Sequence, residues 1–222
     1  MRSLSEILGP VMIGPSSSHT AGACRIGKIS SIIVNEKIKE VKFYLHGSFG
    51  KTYRGHGTDK ALVGGILGMN TDDERIVSSI EIAERVGVKV EFIERDLGNT
   101  YHPNTVRLDI KTISDKNFSI IGSSIGGGNI EILNMNGKDV YFTGKYNTLL
   151  INHIDKPGIV HKVSGILSNN DVNIAYLRVF RDRKGDKASM VFELDDIVNE
   201  KMINDIRNIK NIEKCVFIEA MK

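Results

Sequence analysis

The strongest constraint on how this chain folds lies in its last third. There the spacing of apolar residues alternates between the strand period of about 2 and the helix period of about 3.6. Residues 147–154 read as a strand rich in Leu and Ile. The turn Asp155-Lys156-Pro157-Gly158 leads into a helix that places Ile159, Val163, Ile166 and Leu167 on one face, and Asn169-Asn170-Asp171 stops it. A strand over 172–181 alternates at Ala175, Leu177 and Val179, and Arg183-Lys184-Gly185-Asp186 turns the chain. Residues 188–194 form the next strand through Met190, Phe192 and Leu194. A helix over 199–209 carries Ile203, Ile206 and Ile209, and 216–218 closes as a last strand.

That order is βαββαβ, the ferredoxin-like arrangement. It assigns residues 147–222 to one domain and residues 1–146 to another, joined near 143–147 with no Pro-rich linker. The first domain mixes the two periods. A helix over 21–34 precedes a strand over 41–45, and a glycine-rich loop spans His46 to Gly57. Thr58 is expected to cap a helix containing Ala61, Leu62, Ile66 and Leu67. A helix over 76–86 and strands over 88–93, 105–113, 118–124, 130–133 and 140–142 follow, with Asn136-Gly137 as a hairpin turn. The whole is an α+β fold, its first domain a mixed α/β unit with a largely antiparallel sheet.

Several classes of function are disfavoured by composition. The chain has 30 Lys and Arg against 27 Asp and Glu, a net charge of +3 divided between both parts, so it lacks the basic surplus of a nucleic-acid binder. No apolar stretch approaches the roughly 20 residues that span a bilayer. The N-terminal run is interrupted by Glu6, Gly9 and Pro10, a poor signal peptide, and a cytoplasmic location is the default expectation. Cys24 and Cys215 form neither a CxxC pair nor a disulfide framework.

The chemistry-bearing residues gather in the first domain. Ser16, Ser17, Ser18, His19 and Thr20 stand where a helix begins, with Ser18 or Thr20 as the expected N-cap. Hydroxyls and free N–H groups at a helix start suit a carboxylate or a phosphate, although the same run also suits an ordinary capped loop. Four of the six histidines, His19, His46, His56 and His102, fall in polar segments expected to be loops. The run Gly126-Gly127-Gly128 permits close approach of backbone to a ligand. No HExxH or paired Cys/His spacing marks a zinc site. Gly122-Ser123-Ser124-Ile125-Gly126 matches GxSxG, but three glycines and a strand follow where a nucleophile elbow needs a helix. Gly50-Lys51-Thr52 copies the end of a P-loop whose first glycine is replaced by Leu45.

Five segments taken in order resemble the β subunit of bacterial iron–sulfur-dependent L-serine dehydratase. They are Gly14-Pro15-Ser16-Ser17-Ser18-His19-Thr20-Ala21-Gly22, His46-Gly47-Ser48, Gly55-His56-Gly57-Thr58-Asp59, His102-Pro103-Asn104-Thr105 and Ser124-Ile125-Gly126-Gly127-Gly128. Residues 148–222 resemble an ACT domain through Asp155-Lys156-Pro157-Gly158 and Asn173-Ile174. The resemblance implies deamination of L-serine to pyruvate and ammonia with a [4Fe–4S] cluster as Lewis acid. Such a cluster needs three cysteine ligands, and this chain has two in different domains. The implied arrangement therefore places no metal ligand in this chain, and a separate α subunit supplies the cluster at a shared active site.

Carried onto this chain, the resemblance makes His19, His56 and Asp59 catalytic candidates. Ser16, Ser17, Ser18, Thr20, Thr58, His102, Asn104, Gly126 and Gly127 become substrate-binding candidates. It leaves open which histidine removes the Cα proton. The ACT-like part implies edge-to-edge pairing of two copies of this chain. Serine is the natural effector, held by Asp155, Pro157, Gly158, Asn173 and Ile174; a dimerisation module without ligand is the other reading. The same two-part order also resembles the regulatory end of some D-3-phosphoglycerate dehydrogenases, which would make the chain a non-catalytic module that binds an amino acid or an anion.

Overall fold

In the computed structural model, which describes residues 10–181 and 183–221, the chain divides between Gly137 and Lys138 into two units. The first opens with a wide π-helical turn, Ser17–Gly22, that runs into α1 (Ala23–Val34). Then come β1 (Ile38–Leu45), α2 (Gly47–His56), α3 (Thr58–Ile66), a 3-10 turn (Glu74–Ser78) and α4 (Ser79–Arg85). Strands β2 (Lys89–Glu94), β3 (Thr105–Thr112), β4 (Asn117–Gly126) and β5 (Asn129–Met135) complete it. They lie in the order β2-β1-β3-β4-β5. Only β1 and β2 run parallel, so the sheet is largely antiparallel as expected.

The apolar periods find their core. Ile26, Ile29 and Ile33 on α1 are buried together with Val41, Phe43 and Leu45 on β1. Helices α1 and α3 cross backbone to backbone. A Cβ on Gly65 would overlap the Cys24 carbonyl oxygen, and one on Gly27 would overlap the Leu62 carbonyl. Glycine is required at both positions by this approach rather than by backbone angle.

Local structure departs from the sequence expectations in several places. The glycine-rich stretch 46–57 is not a loop but helix α2. Its glycines mark the ends: Gly47 enters at φ 55°, and Gly57 closes the helix in the left-handed region at φ 68°. Between them the buried Phe49 anchors the helix. Three of the four histidines therefore lie on or beside helices: His19 in the π-helical turn, His46 as the N-cap of α2 and His56 as its last residue. The first N-cap is Ser16, neither Ser18 nor Thr20, and its side chain accepts from the His19 N–H. Thr58 does not cap α3; Gly57 holds that position, and the buried Thr58 hydroxyl has no hydrogen-bond partner among the described residues. The expected helix over 76–86 splits where the 3-10 turn meets α4. Asn136 and Gly137 both take positive φ, 52° and 80°, as a type I′ turn demands.

The second unit contains β6 (Lys138–Phe142), β7 (Asn147–Ile154), α5 (Ile159–Ser168), β8 (Ile174–Arg181), β9 (Lys187–Leu194), α6 (Glu200–Arg207) and β10 (Ile212–Ile218). Its four-stranded sheet has the order β10-β7-β9-β8, with every neighbour antiparallel. This is the βαββαβ arrangement expected. Leu149, Ile151, Met190 and Phe192 pack with Val163, Leu167, Ile203 and Ile206 of the two helices in one apolar core. The last strand begins at Ile212, earlier than residues 216–218, because Ile212 and Lys214 pair with His153 and Asn152 of β7 on either side of a bulge at Glu213. Strand β8 is an edge, and Tyr176, Leu177 and Val179 along it are exposed.

Candidate active site

Strand register brings the motifs of the first unit to one end of its sheet. Leu45 pairs with Val106, Thr105 with Ser123, and Ser124 with Ile130. The segments beginning at His46, ending at Asn104 and following Ser124 thus leave the sheet together. The π-helical turn reaches the same end, where Gly22 lies so close to Ser124 that a Cβ would overlap its hydroxyl.

His19 stands at the centre. Its Nε2 is 3.1 Å from Ser48 Oγ. Its Nδ1 is 3.2 Å from Ser18 Oγ and 3.4 Å from Ser16 Oγ. Phe49 meets the ring edge-on at 5.3 Å between centroids, and His56 lies over it at 4.8 Å and 34°. Burial, and then the neighbouring His56, lower the pKa of His19 below the usual histidine value, so the ring is neutral at neutral pH.

Hydrogen bonds separate the four histidines chemically. His56 Nδ1 faces the Thr52 carbonyl at 3.4 Å. A carbonyl only accepts, so Nδ1 carries the proton and the lone pair is on Nε2. His46 and His102 do the reverse. Each Nδ1 accepts a backbone N–H, from Leu97 and Asn104 respectively, at 3.1 Å. The exposed Asp96 carboxylate lies 3.4 Å from the same His46 nitrogen, but it too only accepts and makes no hydrogen bond there while Nδ1 accepts from Leu97. The lone pairs of His46 and His102 are therefore engaged in holding loops.

The remaining candidates divide between the pocket and its scaffold. The Thr20 hydroxyl donates to the His56 carbonyl at 3.4 Å, tying the turn to the end of α2. Pro103, between His102 and Asn104, accepts from the Phe49 N–H at 3.3 Å and presses on Gly47, fixing the start of α2. The Asn104 carbonyl accepts from the Ser124 N–H at 2.9 Å. Ser17 lies in the turn between Ser16 and Ser18. Asp59 is half-buried, its carboxyl raised above the ordinary value by desolvation while its Oδ1 accepts from the Lys60 N–H at 2.8 Å. Gly126 and Gly127 turn the chain at positive φ, 99° and 60°; beside them Arg25 donates to the Gly128 carbonyl at 2.8 Å. A cleft of about 250 Å³ adjoins His56, lined by Thr20, Arg54, Gly57 and Lys60 among others.

Ser48, Ser124, Arg54 and Lys60 were not singled out as site residues by the sequence. Ser48 was visible in His-Gly-Ser, but reading that stretch as a loop hid the helix that aims it at His19. Ser124 is fully buried and its hydroxyl lacks a hydrogen-bond partner among the described residues. Nothing in the sequence signalled that.

The effector candidates do not meet within one unit. Asp155 lies beyond the end of β7, where its carboxylate accepts from Arg181 Nη1 at 2.8 Å and from the Gly185 N–H at 3.1 Å. Pro157 and Gly158 follow in the same turn, and Gly158 precedes α5 at φ 87°. Asn173 and Ile174 stand at the opposite end of the sheet, where Asn173 Nδ2 donates to Asp195 at 2.6 Å and Ile174 pairs with Leu194. His153, two residues before Asp155 and also missed by the sequence, is buried, its Nε2 without a hydrogen-bond partner among the described residues.

The cysteines do not fit as cluster ligands. Cys24 and Cys215 are buried in different units. Desolvation pushes their thiols up to about 12 and about 11. Among the described residues no group of three or more His, Cys, Asp or Glu side chains is placed to hold a metal ion. No helix among them is long and apolar enough to cross a membrane.

A two-unit α+β chain of this kind, with a hydroxyl-and-imidazole pocket in one unit and a βαββαβ module in the other, belongs to a recognisable class: an enzyme-type domain joined to an ACT domain, whose family model matches residues 147–211. Residues 3–134 match the model described as Serine dehydratase beta chain, and the chain belongs to that family. It is 39% identical over 215 residues to the L-serine dehydratase beta chain of Peptoniphilus asaccharolyticus, covering 97% of each chain. It is 40% identical over 213 residues to the probable L-serine dehydratase beta chain of Bacillus subtilis, covering 95% of each. The D-3-phosphoglycerate dehydrogenase of Bacillus subtilis is 26% identical over 203 residues, which span 89% of this chain but 37% of that enzyme.

Proposed function

We propose that this chain is the β subunit of a two-chain L-serine ammonia-lyase that converts L-serine to pyruvate and ammonia and is active only with a separate α subunit carrying the [4Fe–4S] cluster. In this reading residues 1–146 furnish half of the active site and 147–222 the regulatory ACT domain. Since this chain's thiols do not fit the cluster, its own contribution is proton transfer and substrate binding. The observation that carries the reading is the pairing of His56, whose lone pair sits on Nε2, with the neutral His19. His56 Nε2 takes the Cα proton, the Cβ–oxygen bond breaks, and the proton passes from His56 to the departing hydroxide, giving water, an enamine and a neutral His56 again. The enamine tautomerises to an imine, and hydrolysis then gives pyruvate and ammonia. His19, Ser16, Ser17 and Ser18 hold the substrate carboxylate and amino group. Thr20, Thr58, Asp59, His102, Asn104 and the turn at Gly126-Gly127 shape and brace the pocket.

For the ACT domain, the position of β8 supports pairing with β8 of a second copy. Antiparallel pairing about a two-fold axis would bring Asn173 and Ile174 of one copy toward Asp155, Pro157 and Gly158 of the other, which stand at opposite ends of the sheet within one copy. A non-catalytic anion-binding module is the second reading, favoured by Arg54 and Lys60 in the cleft beside His56.

The test is anaerobic reconstitution with a cysteine-bearing α subunit and assay of pyruvate from L-serine. His56→Gln is expected to lower kcat about 10²-fold or more with a smaller change in KM. Near-normal turnover in both His19→Ala and His56→Gln would remove the site assignment. Turnover by this chain alone would remove the two-chain reading.

A further inference from the structure

We propose that Ser48 is the positioning residue for His19, accepting the imidazole Nε2–H and so holding His19 in the tautomer opposite to that of His56. The inference deepens the reading above, in which these two rings form the reacting end of the pocket.

The assignment follows from counting donors. On the Nδ1 side of His19 stand two hydroxyls, Ser18 Oγ at 3.2 Å and Ser16 Oγ at 3.4 Å, themselves 3.3 Å apart. Ser16 Oγ already accepts the His19 backbone N–H at 3.3 Å. In the proposed tautomer one of these two hydroxyls donates its O–H to the Nδ1 lone pair, the side on which more hydroxyls stand. Nε2 then carries the ring proton, and Ser48 Oγ at 3.1 Å accepts it. His56 is fixed the other way, with its proton on Nδ1 against the Thr52 carbonyl. The tilted pair thus has one ring with its lone pair on Nε2 and one with its proton there, the latter bonded to Ser48. Two rings that both offered Nε2 lone pairs would compete for the same substrate proton.

Ser48 is held firmly enough to do this. It is the second residue of α2, directly after Gly47, whose backbone is pressed against Pro103, and directly before the fully buried Phe49, which also touches the His19 ring. Its carbonyl accepts from the Thr52 hydroxyl at 2.8 Å. With its oxygen lone pair taken by His19, the Ser48 hydroxyl proton is left to donate to a bound carboxylate.

The experiment is long-range ¹H–¹⁵N correlation of the ring nitrogens in the full-length chain labelled with ¹⁵N-histidine. The wild-type protein is expected to show His19 as Nε2–H and His56 as Nδ1–H in one spectrum. Ser48→Ala is expected to collapse the His19 pattern to a tautomer mixture and leave His56 unchanged. Ser48→Thr, which keeps the hydroxyl, restores it. In the reconstituted pair Ser48→Ala lowers kcat about tenfold and Ser48→Thr recovers it. A wild-type His19 protonated on Nδ1, a measurement that needs no variant, overturns the inference. An unaltered His19 pattern in Ser48→Ala does so too. The opposite tautomers together with full turnover in His56→Gln would leave the Ser48 assignment standing and defeat the active-site reading instead.

Discussion

His19 and His56 are 37 residues apart in sequence and lie with ring centroids 4.8 Å apart, while Thr20, next to His19, donates to the His56 carbonyl. Two imidazoles this close do not both protonate readily, because charge on one disfavours charge on the other. For His19 this repulsion adds to burial in favouring the neutral ring.

His19 is accordingly expected to titrate below 6.5, with burial as the larger cause and His56 as the smaller. Following its ring protons by NMR against pH checks this. Replacing His56 with Gln should raise the midpoint part of the way and leave it under 6.5, since burial remains. Below 6.5 the unfolded chain binds a proton that folded His19 refuses, so its contribution to stability falls as the pH drops from 6.5 through the lower native midpoint and is intact above 6.5. A wild-type midpoint at or above 6.5 contradicts the neutral ring.

The crossing of α1 and α3 gives a stability prediction with an internal control. Gly65→Ala places a methyl group against the Cys24 carbonyl oxygen and the Lys28 nitrogen, backbone atoms that move only if the helices separate. Overpacking of this kind costs about 1–3 kcal/mol or more. Gly55→Ala, within α2 with nothing inside 4 Å and no positive φ, should instead stabilise by about 0.5–1 kcal/mol. Urea unfolding of the two variants beside the wild type measures both, and equal midpoints for all three would exclude the close crossing.

The second unit was legible almost element by element, because its strands alternate cleanly and its turns carry Pro, Gly and Asn where the backbone reverses. The first unit was less so. Gly47, Gly50, Gly55 and Gly57 in one stretch weigh against a helix by propensity, yet Phe49 buries completely and tertiary packing overrides the local preference. Misreading α2 concealed Ser48, since only a helix directs it toward His19. The histidines themselves were conspicuous, but their roles are set by partners that no motif displays: the Thr52 carbonyl for His56, and backbone N–H groups for His46 and His102. The effector candidates were carried over together from the ACT resemblance, and their separation to opposite ends of the β7-β9-β8 ladder becomes visible only with the strand directions.

Both thiols should resist alkylation. Thiolate is the reactive form, and burial raises Cys24 to about 12 and Cys215 to about 11. At pH 8 native protein treated with a thiol-reactive chromogen is expected to react at neither cysteine over minutes, and unfolded protein at both. Rapid labelling of a native thiol would mean that its helix or strand opens, and would revive it as a ligand candidate.

The edge strand β8 supplies the last prediction. Tyr176, Leu177 and Val179 are exposed at 48%, 39% and 45% on a strand with one neighbour only, β9, among the described pairings. An apolar edge of this kind is a template for another strand. The chain is expected to sediment as a dimer, and Val179→Glu as a monomer, because the introduced carboxylate would face its own copy near the two-fold axis. Circular dichroism should be unchanged, since the substitution lies outside the core formed by β7, β9 and the two helices. Calorimetry with millimolar L-serine should give heat for the wild type and none for Val179→Glu or Asn173→Ala, the latter remaining dimeric. Dimeric wild type without heat would mean that the module pairs chains and binds nothing; heat from the Val179→Glu monomer would mean that Asp155 and its turn bind serine without Asn173 of a second copy.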